Sequence, residues 1–297
     1  MVHLTVKRLL AENRLEKLGS PPKTIYRLAL PSNEVHEDPA PYLSGKENEL
    51  LTDTFLAVTE TGNLLEGINA FTHWCHQRKL PVQKTLGEYV LTKKKYARYY
   101  DASGMVNGFE KLKTTKGYDK IWLDDLFYLD FYAIERFGKT RLGTLLHYAK
   151  QGQNKFLMRM MMDSIAGRIK DFIVAQKADA VGFVPPTIRR EVQLMKFVRT
   201  QLNIALPVVE IKKINGLIPV PQKSLSKLDE RIRNAENTFA VTDRRLFQHV
   251  VLIDDAVGSG STMNQVAAKI KNKSVAQTVT GLAIVGSFKG FDVITDI

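Results

Sequence analysis

The sequence predicts an α/β fold with a parallel sheet, and three observations carry that prediction. Residues 249–253 (HVVLI) form a short β-branched apolar run without polar alternation, as a strand covered on both faces requires. A Gly/Ser turn then leads into Met263, Val266, Ala267 and Ile270, spaced as on one helix face. Strand and helix signals of this kind alternate from about residue 131 to residue 285.

Composition narrows the setting. The 297 residues suffice for one large or two ordinary domains. Cys75 is the single cysteine, which excludes an intramolecular disulfide and a Cys-rich zinc module and favours a reducing compartment. No apolar run approaches the ~18 residues of a membrane span, and the first residues lack a secretory apolar core, so a cytoplasmic protein without a membrane partner is expected. The formal net charge of +12 implies an anionic partner, either a phosphorylated small molecule or nucleic acid.

Along the chain, Leu4, Leu9, Leu10, Leu15 and Leu18 suggest an amphipathic helix, and Pro21, Pro22, Pro31, Pro39 and Pro41 then mark a loose lead-in. Residues 54–58 read as a strand, Thr61-Gly62-Asn63 as a turn, and Leu64, Leu65, Ile68, Phe71, Trp74 and Cys75 as a helix face. His73 and His76 have metal-site spacing but no evident third ligand, and read as ordinary helix histidines. Residues 93–100 (KKKYARYY) interleave bases with aromatics, as binders of single-stranded nucleic acid do, or else form a solvated helix face with inward tyrosines. Lys111, Lys113, Lys116 and Lys120 extend the basic character. Residues 122–132 (WLDDLFYLDFY) read as core at a domain junction, with no glycine loop after Asp124-Asp125.

Beyond that junction, Met158, Met161, Met162, Ile165, Ile169, Phe172 and Ile173 mark a long amphipathic helix whose methionines are core. Residues 180–184 are the next strand, Ile188, Val192, Met195 and Leu202 a helix face, and residues 207–211, 249–253 and 279–285 further strands. The expected organisation is an N-terminal basic α+β domain of unknown type over 1–130 and an α/β domain over 131–297. Ligands of such sheets sit at the carboxyl ends of strands, where the loops after residues 184, 211 and 253 converge.

The chemistry concentrates in Asp254-Asp255-Ala-Val-Gly258-Ser259-Gly260-Ser261-Thr262. A small-residue loop lets backbone N–H groups close round a phosphate, and the following helix N-terminus adds partial positive charge. Thr262 with Gln265 reads as a capping box opening that helix. A Walker A loop would need Gly-Lys-Ser/Thr, and a dinucleotide loop would carry its acid after the glycines rather than before them.

The remaining pattern resembles the phosphoribosyl pyrophosphate (PRPP) loop of type I phosphoribosyltransferases. The resemblance implies that Asp254 and Asp255 hold the ribose hydroxyls as catalytic-site residues, and that Gly258, Ser259, Gly260, Ser261 and Thr262 hold the 5′-phosphate. Gln222, Leu225, Arg231, Asn234 and Phe239, spaced Q-x2-L-x5-R-x2-N-x4-F, and residues 141–150 (RLGTLLHYAK) are similar to the ComF-like branch. That similarity covers residues 131–288. Members often carry an N-terminal zinc ribbon, which one cysteine cannot build, so other material takes its place here.

The family implies a type I phosphoribosyltransferase (Rossmann-like) fold that displaces pyrophosphate from ribose C1 of PRPP, with magnesium (Mg2+) arriving on the substrate rather than in a protein metal site. Pyrophosphate would meet Arg189 and Arg190 in the loop after the 180–184 strand, and Lys212, Lys213 and Arg231 in a flap over 212–237. Arg189 and Arg190 read equally as exposed helix arginines. Purine transferases commonly place an acid where Gly258 stands, so a hypoxanthine-type enzyme is not expected. The reading from another class is a non-catalytic PRPP or nucleotide sensor, or an antiphage (retron-type) effector, binding nucleic acid through the basic N-terminal half. A sugar-phosphate hydrolase using the same loop is a third. An oligomer is compatible with each.

Overall fold

The structure is a computed structural model that describes residues 2–11, 15–18, 25–28, 43–115, 117–186, 188, 190–214 and 238–287. Its compact units are Met1–Leu43 and Ser44–Ile297. In the first, α1 (Val2–Ala11) precedes two antiparallel strands, β1 (Leu15–Leu18) and β2 (Ile25–Leu28), with Leu15 opposite Leu28. Leu15 and Leu18 therefore lie on a strand rather than on the expected helix. A short apolar run carries too few residues to separate the two periods, and pairing with residues 25–28 decides it.

The second unit opens with α2 (Gly45–Thr54), capped reciprocally: the Ser44 hydroxyl accepts from the Glu47 N–H at 3.3 Å, and the Glu47 carboxylate accepts from the Ser44 N–H at 2.9 Å. A hairpin comes next, β3 (Leu56–Val58) against β4 (Leu64–Glu66), then α3 (Gly67–Gln77) and α4 (Val82–Ala97). Leu64 and Leu65 thus belong to a strand, and the helix expected from Leu64 starts only at Gly67, whose φ of +58° suits glycine and whose N–H donates to the Phe55 carbonyl. Beyond α4 lie β5 (Val106–Asn107), α5 (Phe109–Thr114), β6 (Asp125–Phe131), α6 (Arg141–Gln151) and α7 (Lys155–Ala175). The chain continues through β7 (Ala180–Phe183), α8 (Leu194–Leu202), β8 (Val208–Val209), β9 (Ile211–Lys213), β10 (Phe239–Val241), β11 (Phe247–Val257), α9 (Ser261–Asn272) and β12 (Ala276–Gly286). Ile188 and Val192 precede α8 instead of opening it.

A six-stranded sheet in the order β5-β6-β12-β11-β7-β8 organises this unit, parallel throughout except for the short edge strand β5. This is the α/β class the sequence predicts. β6 begins before residue 131, so the expected division at 130/131 falls within a strand of the sheet, and residues 44–130 share one compact unit with the remainder of the sheet. The reason is visible in the strand itself: Asp125 and Asp130 give β6 a mixed pattern, yet Leu126, Tyr128, Leu129 and Phe131 are buried. On one face of the sheet, Val181, Val251, Ile253 and Ile284 pack with Leu145, Met158, Met161, Ile165 and Val198 from α6, α7 and α8. The methionine stripe is core, as its spacing predicts. A satellite cluster joins Phe55, Phe71, Trp74, Tyr89 and Phe137 through ring centroids 5.0–6.2 Å apart.

Helix α6 reaches the carboxyl end of β6 only because residue 143 has no side chain: a Cβ there would lie 2.0 Å from the Tyr132 carbonyl oxygen. Gly143→Ala is expected to cost about 1–3 kcal/mol through forced overpacking. Gly167→Ala in α7, where a Cβ meets nothing within 4 Å, should gain roughly 0.5–1 kcal/mol from helix propensity. Urea unfolding of both variants measures the contrast.

Candidate functional site

β11 lies between β12 and β7, and Val250 to Ile253 are fully buried. Asp254 and Asp255 come directly after, still in the ladder, with Asp254 opposite Ala283. The strand therefore runs four residues past the expected end at Ile253, to Val257. Successive residues of a strand face opposite ways. Asp255 continues the Val251/Ile253 face toward α6, and Lys150 in the last turn of that helix places its ammonium 2.6 Å from Asp255 Oδ2. Asp254 Oδ1 accepts the Asp255 N–H at 2.8 Å. Burial first, and the adjacent Asp255 carboxylate second, push the Asp254 carboxyl well above the usual carboxylate range, against the weaker pull of Lys150 and that N–H. One cation thus serves two neighbouring acids.

Gly258 to Gly260 turn the chain into α9, which begins at Ser261. Gly260 occupies the cap with φ of +83°, and a Cβ on it would lie 2.8 Å from Leu112 Cδ1 of α5. No side chain caps the helix, so the capping box expected from Thr262 and Gln265 is not formed: the helix starts two residues earlier, and Thr262 lies within its first turn. Ser259 Oγ instead accepts the Ser261 N–H at 3.3 Å and donates to Ser261 Oγ at 3.1 Å. The N–H groups of Gly258, Ser259 and Gly260 make no hydrogen bond among the described residues. Amides left open beside a helix N-terminus are what an anion requires.

The segment before β6 braces this loop from outside. Tyr118 Oη donates to the Ser259 carbonyl at 2.8 Å. Asn264, fully buried on α9, accepts the Trp122 N–H at 2.7 Å and donates to the Lys120 carbonyl at 3.0 Å. Lys111 Nζ donates to the carbonyl of Ser287 at 2.5 Å, and the Ser287 N–H donates to the Val257 carbonyl at 3.1 Å. Burial lowers the Lys111 ammonium to about 8, so this amine stands close to titrating at physiological pH.

Of the expected pyrophosphate ligands, Arg190 is brought to the acid pair indirectly. Its Nη1 donates to the Lys150 carbonyl and its Nη2 to Gln151 Oε1 at 2.8 Å, tying the loop after β7 to the end of α6. Lys212 and Lys213 stand on β9, paired antiparallel with β10, and Lys212 lies 4.0 Å from Glu210. Arg189 and Arg231, and with them Gln222, Leu225 and Asn234, lie outside the described residues. Sequence reasoning does not single out Lys150, Tyr118 or Asn264. Lys150 does close the 141–150 segment that resembles the ComF-like branch, while nothing local marks the other two.

Within residues 93–100, Tyr96 is buried, Tyr100 is half-buried and Tyr99 is exposed. Tyr96 is buried with its ring 4.9 Å from that of Phe131, the Tyr100 hydroxyl donates to Asp130, and Lys95 pairs with Glu135 at 2.5 Å. The structure packs Tyr96 of KKKYARYY inward and leaves Tyr99 at the surface. No helix among the described residues is long and apolar enough to cross a membrane.

No protein-family model and no curated protein sequence matches the chain. Among solved structures, the chain is similar to adenine phosphoribosyl transferase from Trypanosoma brucei, crystallised with AMP, pyrophosphate and ribose-5-phosphate, at 19% identity over 54% of this chain and 72% of that one, with a TM-score of 0.29. It is also similar to purine phosphoribosyltransferase from Pyrococcus horikoshii, at 16% identity over 47% of this chain and 93% of that one, with a TM-score of 0.25.

The acid pair has a stability signature. A carboxyl whose folded-state pKa is raised contributes most to stability at low pH, and that contribution is lost as pH rises through the folded value. Asp254→Asn removes the loss and keeps an Oδ1 acceptor, so it should raise Tm by a few degrees at pH 8 and change it little at pH 4. Lys150→Met should lower Tm at pH 8 by leaving both acids without their cation. Thermal melts at the two pH values read both.

Proposed function

We propose that the chain is a phosphoribosyltransferase-like protein that binds PRPP with magnesium and transfers the phosphoribosyl group with release of pyrophosphate. The observation that carries the reading is the junction at the end of β11: two adjacent acids, a Gly/Ser turn with open amides, and a helix N-terminus, on a strand flanked by parallel neighbours. Gly258, Ser259 and Gly260 would present their N–H groups to the 5′-phosphate, with Ser261 and Thr262 adding the first-turn dipole of α9. Asp254 and Asp255 would accept the ribose 2′- and 3′-hydroxyls. Taking a hydroxyl donor would relieve the cost of ionising Asp254 in its half-buried place on the ladder.

The donor set also fits magnesium delivered on the substrate. Such an ion takes one or two carboxylates together with substrate oxygens, and the described residues hold two adjacent carboxylates but no cluster of three metal-ligating side chains. When bound it would neutralise the charge of the departing pyrophosphate. Lys150 stands beside the acid pair, with Arg190 bonded to its carbonyl, where its cation can share that task, and Lys212, Lys213, Arg189 and Arg231 would complete it. The nucleic-acid reading retains the net charge of +12, with Tyr99 exposed and Tyr96 inside the fold.

Titration calorimetry with PRPP and magnesium, followed by a pyrophosphate-release assay, tests the proposal. Binding is expected in the parent protein and its loss in Asp254→Asn/Asp255→Asn, with the variant still folded. Equal affinity in the two proteins would remove the acid pair from the site.

A further inference from the structure

We propose that the outer face of α4 binds the sugar-phosphate backbone of single-stranded nucleic acid. The inference does not rest on the reading above, and it uses none of the residues of the acid pair or its loop.

α4 and the residue after it, residues 82–98, carry five cations, Lys84, Lys93, Lys94, Lys95 and Arg98, against one acid, Glu88. Lys84, Gly87, Leu91, Lys94 and Arg98 follow at steps of three and four, which places them along one face, and all five are exposed. The opposite face is core, with Leu86, Tyr89 and Tyr96 buried. Tyr96 against Phe131, and Glu88 with Arg136, fix the helix to the end of β6 and to the turn after it, so the stripe is displayed on a rigid element.

Helix stability does not account for these charges. Lys94 and Arg98 lie at the helix C-terminus, where the dipole favours cations, but Lys84 stands in the first turn, where the dipole opposes one and no acid offsets it. Glu135 is engaged by Lys95 at 2.5 Å, and Glu88 by Arg136. Among the described residues, Lys84, Lys94 and Arg98 make no ion pair and no hydrogen bond. The three cations share a face about 21 Å long at the rise of an α-helix. A chain of phosphates laid along that face gains from each of them, whereas a single phosphate meets one.

The apolar members of the face select an unpaired strand. Leu91, 66% exposed, lies between the cations, and Tyr99, 36% exposed, follows Arg98. Unpaired bases cover such surface while their backbone follows the basic side chains; a duplex keeps its bases stacked inside and offers this face only phosphates. A Cβ on Gly87, between Lys84 and Leu91, would meet nothing within 4 Å, so the helix backbone is open there to close approach.

Fluorescence anisotropy of a labelled oligo(dT) strand of about 20 nucleotides reads binding to the full chain. Saturable binding is expected. Lys84→Ala/Lys94→Ala/Arg98→Ala should weaken it about tenfold and reduce the slope of log K against log[salt] by about 2, at about 0.7 per phosphate contact. Lys155→Ala/Lys170→Ala/Lys196→Ala, exposed on α7 and α8, removes the same charge and should change the affinity by less than about threefold. A duplex of equal length should bind about tenfold more weakly than the strand, and Asp254→Asn/Asp255→Asn should bind the strand as the parent does. No saturation up to about 100 µM protein, equal losses in the two triple variants, a duplex bound as tightly as the strand, or loss of binding in the double aspartate variant would overturn the proposal.

Discussion

Two carboxylates share one ammonium at the end of a strand that is buried on both faces, and the rest of the structure is arranged to tolerate that. Asp254 is costly to ionise where it stands, Asp255 is held by Lys150, and neither acid could occupy this place on an edge strand without simply being solvated. The parallel neighbours β7 and β12 supply the burial, and α6 supplies the cation. The close approach of α6 depends in turn on Gly143 against Tyr132, and the position of Lys150 is secured by the donation from Arg190 to its carbonyl. The chain tolerates a locally unfavourable pair of charges, a pattern found where a ligand completes the arrangement.

The residues ahead of β6 belong to the same set of contacts. Leu112 fills the space beside Gly260, Tyr118 holds the Ser259 carbonyl, and the backbone at Lys120, Trp122 and Leu123 meets the buried amide of Asn264. These contacts orient the loop so that its N–H groups face away from its own protein neighbours. The same stretch brings Lys111 to the carbonyl of Ser287, whose N–H meets the Val257 carbonyl just before the loop. The segment ahead of β6 is thus part of the construction around the loop, and not only a neighbour to it.

Much of this is legible in the sequence. A short β-branched apolar run ending at a Gly/Ser turn is what a strand covered on both faces requires, so β11 and the parallel class emerge from residues 249–253, and the turn into α9 from the change of period at Met263. The illegible part depends on contacts distant in sequence. Lys150 reads as one base at the end of an amphipathic helix until the fold places it against Asp255, 105 positions later. Residues 93–100 leave two readings open because a sequence does not show which face turns inward; Phe131 draws in Tyr96. The start of β6 ahead of residue 131 is hard to read in the sequence because Asp125 and Asp130 interrupt its apolar pattern. Gly260 rather than Thr262 caps α9, since a left-handed turn there brings the chain round more sharply than a side-chain cap would.

A crystal structure grown with magnesium and PRPP tests the central claim most directly. The account predicts the 5′-phosphate within hydrogen-bond distance of the amides from Gly258 to Thr262, and the ribose hydroxyls on Asp254 and Asp255. A phosphate bound elsewhere, with Lys150 still closed on Asp255 and the loop amides without ligand at saturating PRPP, would contradict it.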